Sequence, residues 1–276
     1  MNLSVGIVGL PNSGKSTLFN TLLKRQIANV ASYPFTTIEP NVGVVEVPDE
    51  RLKKLAELIK PAEPKVVPAT VTFIDIAGLV KNAHQGEGLG NQFLGKIREV
   101  DAIVQVIRGF EDETVLHYYG SIDPQRDKEI VDLELELAEI KKPTLYVLNE
   151  NKEDKENKEN QENKEGWARV NAQSGRGVDE LIKKTYELLE LITFYTIKGG
   201  KEVTAWALKN GDTALEAAGK VHEDMAKGFI KAEVIKFEDL ITVGSWHQAK
   251  NLGKIKLEGR DYVVEDGDVV EFKFNL

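Results

Sequence analysis

The chain contains no cysteine. That excludes disulfides and thiolate metal sites and fits a reducing compartment, with the cytoplasm as the expected location. It also has no apolar run of the roughly 18 residues that a membrane-spanning helix needs, so no membrane partner is expected. No basic segment precedes an apolar one at the N-terminus, and no signal peptide is expected. Positive charge is scarce: 36 Lys and Arg stand against 45 Asp and Glu, a net −9. This argues against a nucleic-acid coat protein and gives no reason to expect DNA as a partner. Most of the negative charge lies before Ile192, and the nearly neutral remainder could still carry a local basic face. What is present suffices for a sizeable core, since 276 residues at 41% hydrophobic content are enough for two ordinary domains.

The chain is organised around Gly9-Leu10-Pro11-Asn12-Ser13-Gly14-Lys15-Ser16. An apolar, strand-like run (3–8) precedes it and a helix-like segment (17–23) follows, which is the context a phosphate-binding P-loop requires. Gly9 and Gly14 let backbone N–H groups turn inward around phosphate oxygens. Lys15 can reach the terminal phosphates, and the Ser16 hydroxyl can hold Mg2+. Downstream, an apolar strand (66–74) ends in Asp75-Ile76-Ala77-Gly78. Asp-x-x-Gly after a P-loop brings a carboxylate toward Mg2+ through water and leaves the Gly78 N–H to face a γ-phosphate.

Between and beyond these motifs the chain alternates strand and helix signals. Strands are expected at 42–47, 102–107, 144–148 and 167–170, and helices at 51–59, 93–100, 128–140 and 178–189. This alternation predicts an α/β domain with a parallel-rich sheet covered by helices on both faces. Residues 28–37 read as a loop, and 79–91, with Gly86, Gly88 and Gly90, as a mobile one. From 149 to 165 every residue is Asn, Lys, Glu, Asp or Gln, a low-complexity, solvated loop. A domain boundary falls near Leu191. The remainder, 192–276, shows short strands (194–197, 203–207, 229–235, 254–257, 262–264 and 269–274) around one helix at 213–218, a compact α+β module.

The stretches GLPNSGKSTLFN, YPFTTIEPNVG and DIAGLVKNAHQGEGLGNQFL resemble the YchF-type (Obg-like) ATPases of the translation-factor-related P-loop class. In the tail, ITFYT, EVTAW, DMAKGFIKAEV and GRDYVVEDGDVVEFKFN resemble that family's TGS domain, a β-grasp fold. The resemblance covers almost the whole chain. It implies a P-loop NTPase domain over 1–191 and a TGS-like domain over 192–276. It also shows two departures. Relatives carry a helical coiled-coil insertion where Ile140 here runs directly into Lys141-Lys142-Pro143. And where the family has Asn-x-x-Glu, this chain has Asn149-Glu150-Asn151-Lys152, with Lys in place of the carboxylate.

The resemblance further implies roles. Phosphates would lie over the backbone of Asn12, Ser13, Gly14, Lys15, Ser16 and Thr17. Mg2+ would be held by Ser16, by Asp75 and by Thr36, with Thr37 as the competing assignment. Asn149, Glu150 and the loop at Ala172 would meet the base. Lys152 cannot accept guanine's donors, which favours ATP, with GTP as the alternative. Lys15 and Gly78 would act on the γ-phosphate. Leu79 stands where Ras-like enzymes carry a water-orienting Gln, so turnover should be slow or use another group. His84 is the candidate for that group, or else an exposed loop histidine. Asn12 matches a position that helps bind K+ in some relatives. The expected protein is a slow ATP-hydrolysing switch that meets ribosomes or another RNA-bearing assembly, with a conventional GTPase or a non-hydrolysing nucleotide-binding scaffold as rivals. Lys250, Lys254, Lys256 and Arg260 could form a basic face, or simply a solvated one.

Overall fold

The computed structural model describes residues 3–26, 41–59, 63–76, 89–151 and 166–275. The chain forms two compact units. One comprises Met1–Glu46 with Val71–Leu189, the other Val47–Thr70 with Glu190–Leu276.

In the first unit, β1 (Ser4–Val8) leads into α1 (Lys15–Gln26) and then β2 (Val42–Glu46). The next two elements, α2 (Glu50–Glu57) and β3 (Lys65–Val67), belong to the second unit. The first unit resumes with β4 (Thr70–Asp75), α3 (Leu89–Glu99), β5 (Ala102–Arg108), α4 (Pro124–Leu137), β6 (Thr144–Asn149), β7 (Ala168–Val170) and α5 (Val178–Leu188). Its sheet has the order β2-β4-β1-β5-β6-β7. The pairs β4–β1, β1–β5, β5–β6 and β6–β7 are all parallel. Every residue of β5 is buried, so both faces of the sheet are covered, as the strand and helix alternation predicts. On one face Val8 and Ile103 pack with Leu94 and Ile97 of α3 and Val131 and Leu135 of α4. Parallel order also sends the C-terminal ends of β1, β4 and β6 to the same side, where open α/β sheets bind ligands.

Helix α4 starts at Asp123, whose carboxylate caps Arg126 N at 3.1 Å. It stops in a Schellman turn. Glu139 adopts φ +56°, its N–H donates to Glu136 O at 2.9 Å, and Ile140 N–H donates to Leu135 O at 2.9 Å. Ile140 is buried beside Leu135, and β6 begins at Thr144, so no helical insertion stands between α4 and β6.

The second unit continues with β8 (Leu191–Lys198), β9 (Glu202–Lys209), α6 (Ala214–Val221), α7 (Glu223–Lys227), β10 (Phe229–Lys236), α8 (Phe237–Val243), α9 (Trp246–Asn251), β11 (Lys256–Glu258) and β12 (Asp268–Phe274). The sheet order is β11-β10-β12-β8-β9-β3. β12 runs parallel to β8 at the centre, and β8–β9, β10–β12 and β10–β11 are antiparallel, a β-grasp-like mixed sheet. Ala214, Ala217 and Ala218 of α6 pack against Phe194, Val270 and Phe272. Thr213 and Glu216 close a capping box at its N-terminus.

Three differences from the sequence reading stand out. The expected strand over 66–74 is two strands in two sheets. Pro68 cannot donate to a ladder, so β3 ends at Val67 and pairs with β9, while β4 starts at Thr70 and runs on into the first unit. The helices α7, α8 and α9 are too short to give a clear period, and 262–264 forms only an isolated bridge at Val263 instead of a strand. Finally, the sequence reading assigns 47–70 to the nucleotide domain, whereas the structure folds them into the second unit.

Charged contacts hold that segment. Arg51 Nη1 and Nη2 donate to Asp266 at 2.6 and 3.4 Å, and its Nε donates to Asp49 at 3.2 Å. Tyr195, fully buried, donates its hydroxyl to Asp49, and Thr193 N–H donates to Asp266 at 2.8 Å. Burial and then the Asp49 carboxylate push the Tyr195 phenol up, keeping it a donor.

Two outcomes follow. Replacing Arg51 by Met leaves two carboxylates without their shared cation. It should lower the stability of the second unit by about 2 kcal/mol, below the figure for a fully buried pair because Asp266 is half exposed. Glu139→Gly removes a side chain from the left-handed region and should raise the first unit's stability by about 0.5–1 kcal/mol. Scanning calorimetry of both variants against the unsubstituted chain checks each sign.

Candidate functional site

The loop between β1 and α1 is shaped by close approaches. A Cβ on Gly9 would lie 2.3 Å from Val106 O, and one on Gly14, at φ +92°, would lie 2.2 Å from Asn149 Nδ2. Neither position can hold a side chain. Between them Asn12 takes φ +62°, a conformation that Asn tolerates better than most residues. Its Nδ2 donates to Leu116 O at 3.0 Å. Helix α1 begins at Lys15, so the first-turn N–H groups of Ser16 and Thr17 open toward the loop, where backbone donors and helix dipole favour an anion.

Lys15 is 7% exposed, and its Nζ donates to Leu10 O at 2.8 Å. Burial lowers its pKa to about 8, and the charge of Asp75 opposes that shift only in part. A polyanion in the loop would raise that pKa again and favour the ammonium further.

Asp75 reaches the loop because β4 runs parallel to β1, with Asp75 opposite Ile7. Asp75 Oδ2 accepts from the Ser16 hydroxyl at 2.8 Å. Its Oδ1 is buried and has no hydrogen-bond partner among the described residues. The sequence reading placed these two side chains on one ion, and the structure puts them in contact. Thr36, Gly78 and His84, the other three residues assigned to the metal and the γ-phosphate, lie outside the described residues, as do Thr37 and Leu79.

At the other end of the loop, Asn149 closes β6. Its Nδ2 donates to Ser13 O at 3.1 Å and its Oδ1 accepts from Ala172 N–H at 3.0 Å. One amide thus joins the P-loop to the loop after β7. Asn149 and Glu150 are 4% and 3% exposed, so these two residues do not belong to a solvated loop, which the sequence reading starts at 149. Glu150 does not present its carboxylate outward. Arg169 Nη1 lies 3.1 Å from Oε2 and Arg176 Nη2 3.6 Å from Oε1, while its N–H donates to Val170 O at 2.9 Å. Lys152 lies outside the described residues.

Several supporting residues were missed from the sequence. Arg108, 3% exposed at the end of the apolar strand β5, donates to Asn12 O, Phe110 O and Val115 O and stacks on the Phe110 ring. A lone arginine ending an otherwise mostly apolar strand is the available signal. Thr21 donates to Ala172 O at 2.6 Å across 151 positions of sequence, a contact no local pattern reveals. The His117 side chain is nearly covered, at 6% exposure. Its Nε2 lies 2.7 Å from Asp127 Oδ2 and its Nδ1 accepts from Tyr119 N–H. Among the described residues no group of three or more His, Cys, Asp or Glu could hold a metal.

Comparison with known proteins agrees with this geometry. Residues 4–150 match the family profile described as a 50S ribosome-binding GTPase. Residues 191–275 match the YchF-GTPase C-terminal family, described as a protein of unknown function. The chain is similar to the ribosome-binding ATPase YchF of Bacillus subtilis, 38% identical over 370 positions, and to that of Escherichia coli O157:H7, 38% identical over 367. Both matches cover 100% of this chain and 100% of the relative. Because this chain has 276 residues, both relatives carry inserted sequence with no counterpart here. Among solved structures it is similar to the YchF GTPase of Schizosaccharomyces pombe, with a TM-score of 0.81, 28% identity, and coverage of 99% of this chain and 98% of that one. Kinship at this level over the full length of both partners is unambiguous, and the chain belongs to the YchF family.

Proposed function

We propose that the chain is a nucleotide-dependent switch that hydrolyses ATP slowly with Mg2+ and works with the ribosome in the cytoplasm. The observation that carries this reading is the Ser16–Asp75 contact at the mouth of the P-loop, with Asp75 Oδ1 buried and without a hydrogen-bond partner among the described residues. Hydroxyl and carboxylate oxygens are the ligands a small hard cation prefers, so the pair fits Mg2+. When bound, such an ion neutralises charge developing on the β- and γ-phosphate oxygens. Ser16 would hold it together with Thr36, or Thr37 as the competing assignment, and Asp75 would hold it through water. K+ at Asn12 is part of the proposal, resting on that residue's place in the loop.

The chain's own groups do the rest. Backbone N–H groups from Asn12 to Thr17 bind the phosphates. Lys15, already drawn into the loop, swings its ammonium from Leu10 O to the phosphate oxygens. The Gly78 N–H meets the γ-phosphate, and His84 orients the attacking water, because the Leu79 side chain has no group that can. The segments containing Thr36 and residues 79–88 respond to the γ-phosphate and to its loss after cleavage, whereas 89–91, which the sequence reading counts in the second loop, belong to α3.

The base is adenine in this reading. Lys152 replaces the carboxylate that would accept guanine's donors, and the neighbouring Glu150 is engaged by two arginines. The bacterial relatives are named ATPases, which supports the same choice, while the fission-yeast neighbour is named a GTPase. Both the N-terminal family description and the relatives' names support the ribosome as partner. The four basic residues noted in the second unit, Lys250, Lys254, Lys256 and Arg260, are all exposed, which supports a basic face there, although Lys250 also lies 3.4 Å from Glu233 and Arg260 also donates to Phe229 O. Leu79 favours a second reading, a nucleotide-binding scaffold with negligible hydrolysis.

Titrating labelled ATP and GTP against the purified chain separates the nucleotides. ATP should bind at least about tenfold more tightly, and the reverse order would make the chain a GTPase. Phosphate release with and without ribosomes should exceed that of Lys15→Ala by roughly 100-fold. Release equal to that variant under both conditions would leave only the scaffold.

A further inference from the structure

The loop from 171 to 177 is closed by its own backbone and gripped from outside. Asn171 N–H donates to Arg176 O at 3.0 Å, Gly175 N–H donates to Asn171 O at 2.9 Å, and Asn171 Oδ1 accepts from the N–H groups of Gln173 and Ser174. Within it, Ala172 donates to Asn149 and accepts from Thr21. Arg176 is therefore the residue that closes the loop carrying Ala172. Glu150, with its side chain 4% exposed, lies between Arg176 and Arg169.

A carboxylate this buried is costly, and apolar side chains of similar volume commonly serve packing as well or better. Its return here is positional. Glu150 follows Asn149 directly, so its backbone continues the residue that touches the P-loop, while its carboxylate draws in the residue that closes the opposite loop.

We infer that Glu150 is a positioning residue for base recognition: by holding Arg176 it fixes the 171–177 loop, and with it Ala172 and the Asn149 amide, at the edge of the bound base. This rests on the nucleotide reading of the site and adds a specific device to it. Without the carboxylate, two guanidiniums face each other unscreened, the loop loosens, and contact with the base weakens while contact with the phosphates does not.

A double-mutant cycle tests this in the full chain, with Glu150→Gln, Arg176→Met and the pair together. Affinities for Mg-ATP and for inorganic triphosphate, which has no base, are measured for each, along with the amide resonance of Ala172. Each single variant should weaken ATP binding about tenfold and shift the Ala172 resonance, with triphosphate binding constant. The double variant should be no weaker than either single one. Unchanged ATP affinity in Glu150→Gln, additive losses in the pair, or equal losses for ATP and triphosphate would each overturn the inference. Failure of the unsubstituted chain to bind ATP or GTP would instead overturn the nucleotide reading beneath it.

Discussion

The parallel register of β4 on β1 is the constraint on which the site depends. With Asp75 opposite Ile7, the carboxylate ends its strand just short of the P-loop and meets the first turn of α1. A slip of one residue would send that side chain to the opposite face of the sheet. Asp75 would then turn away from Ser16, and Lys15 would lose the negative charge that partly offsets its burial. The same parallel order sets Asn149 at the end of β6, where its amide ties the P-loop to Ala172. One sheet geometry thus fixes both the phosphate end and the base end.

β4 has a second tie. It enters the first unit directly from Thr70, and the preceding residues from Val47 belong to the second unit. Arg51 and Asp49 hold that segment to Asp266 and Tyr195. The C-terminal module is therefore completed by a segment drawn from the middle of the nucleotide-binding sequence. A fragment starting near Ile192 lacks α2 and β3, and it leaves the Tyr195 hydroxyl without its Asp49 acceptor and Asp266 without the Arg51 guanidinium.

The sequence made the P-loop, Asp75 and Asn149 legible because each is a short motif with a fixed place at a strand end. It also revealed the parallel-rich sheet, whose strands read as apolar runs separated by helical periods. What it hid was contact between distant positions. Thr21 with Ala172, Arg108 with Asn12, and Arg51 with Asp266 leave no local trace. Pro68 was visible and carried the break between β3 and β4, but apolar residues on both sides masked it. Glu150 is a related case: next to Asn149 it reads as a residue for the ligand, and no local pattern reveals that its carboxylate lies against arginines at 169 and 176. The Schellman turn at Glu139 was obscured because the left-handed position holds Glu in place of Gly.

The central claim is that Ser16 and Asp75 form the divalent-cation end of a nucleotide site. Calorimetric titration of ATP with and without Mg2+, into the unsubstituted chain and into Asp75→Asn, tests it most directly. The account predicts that Mg2+ tightens ATP binding about tenfold or more in the unsubstituted chain and leaves the variant almost unchanged. Equal Mg2+ dependence in the two proteins would contradict it.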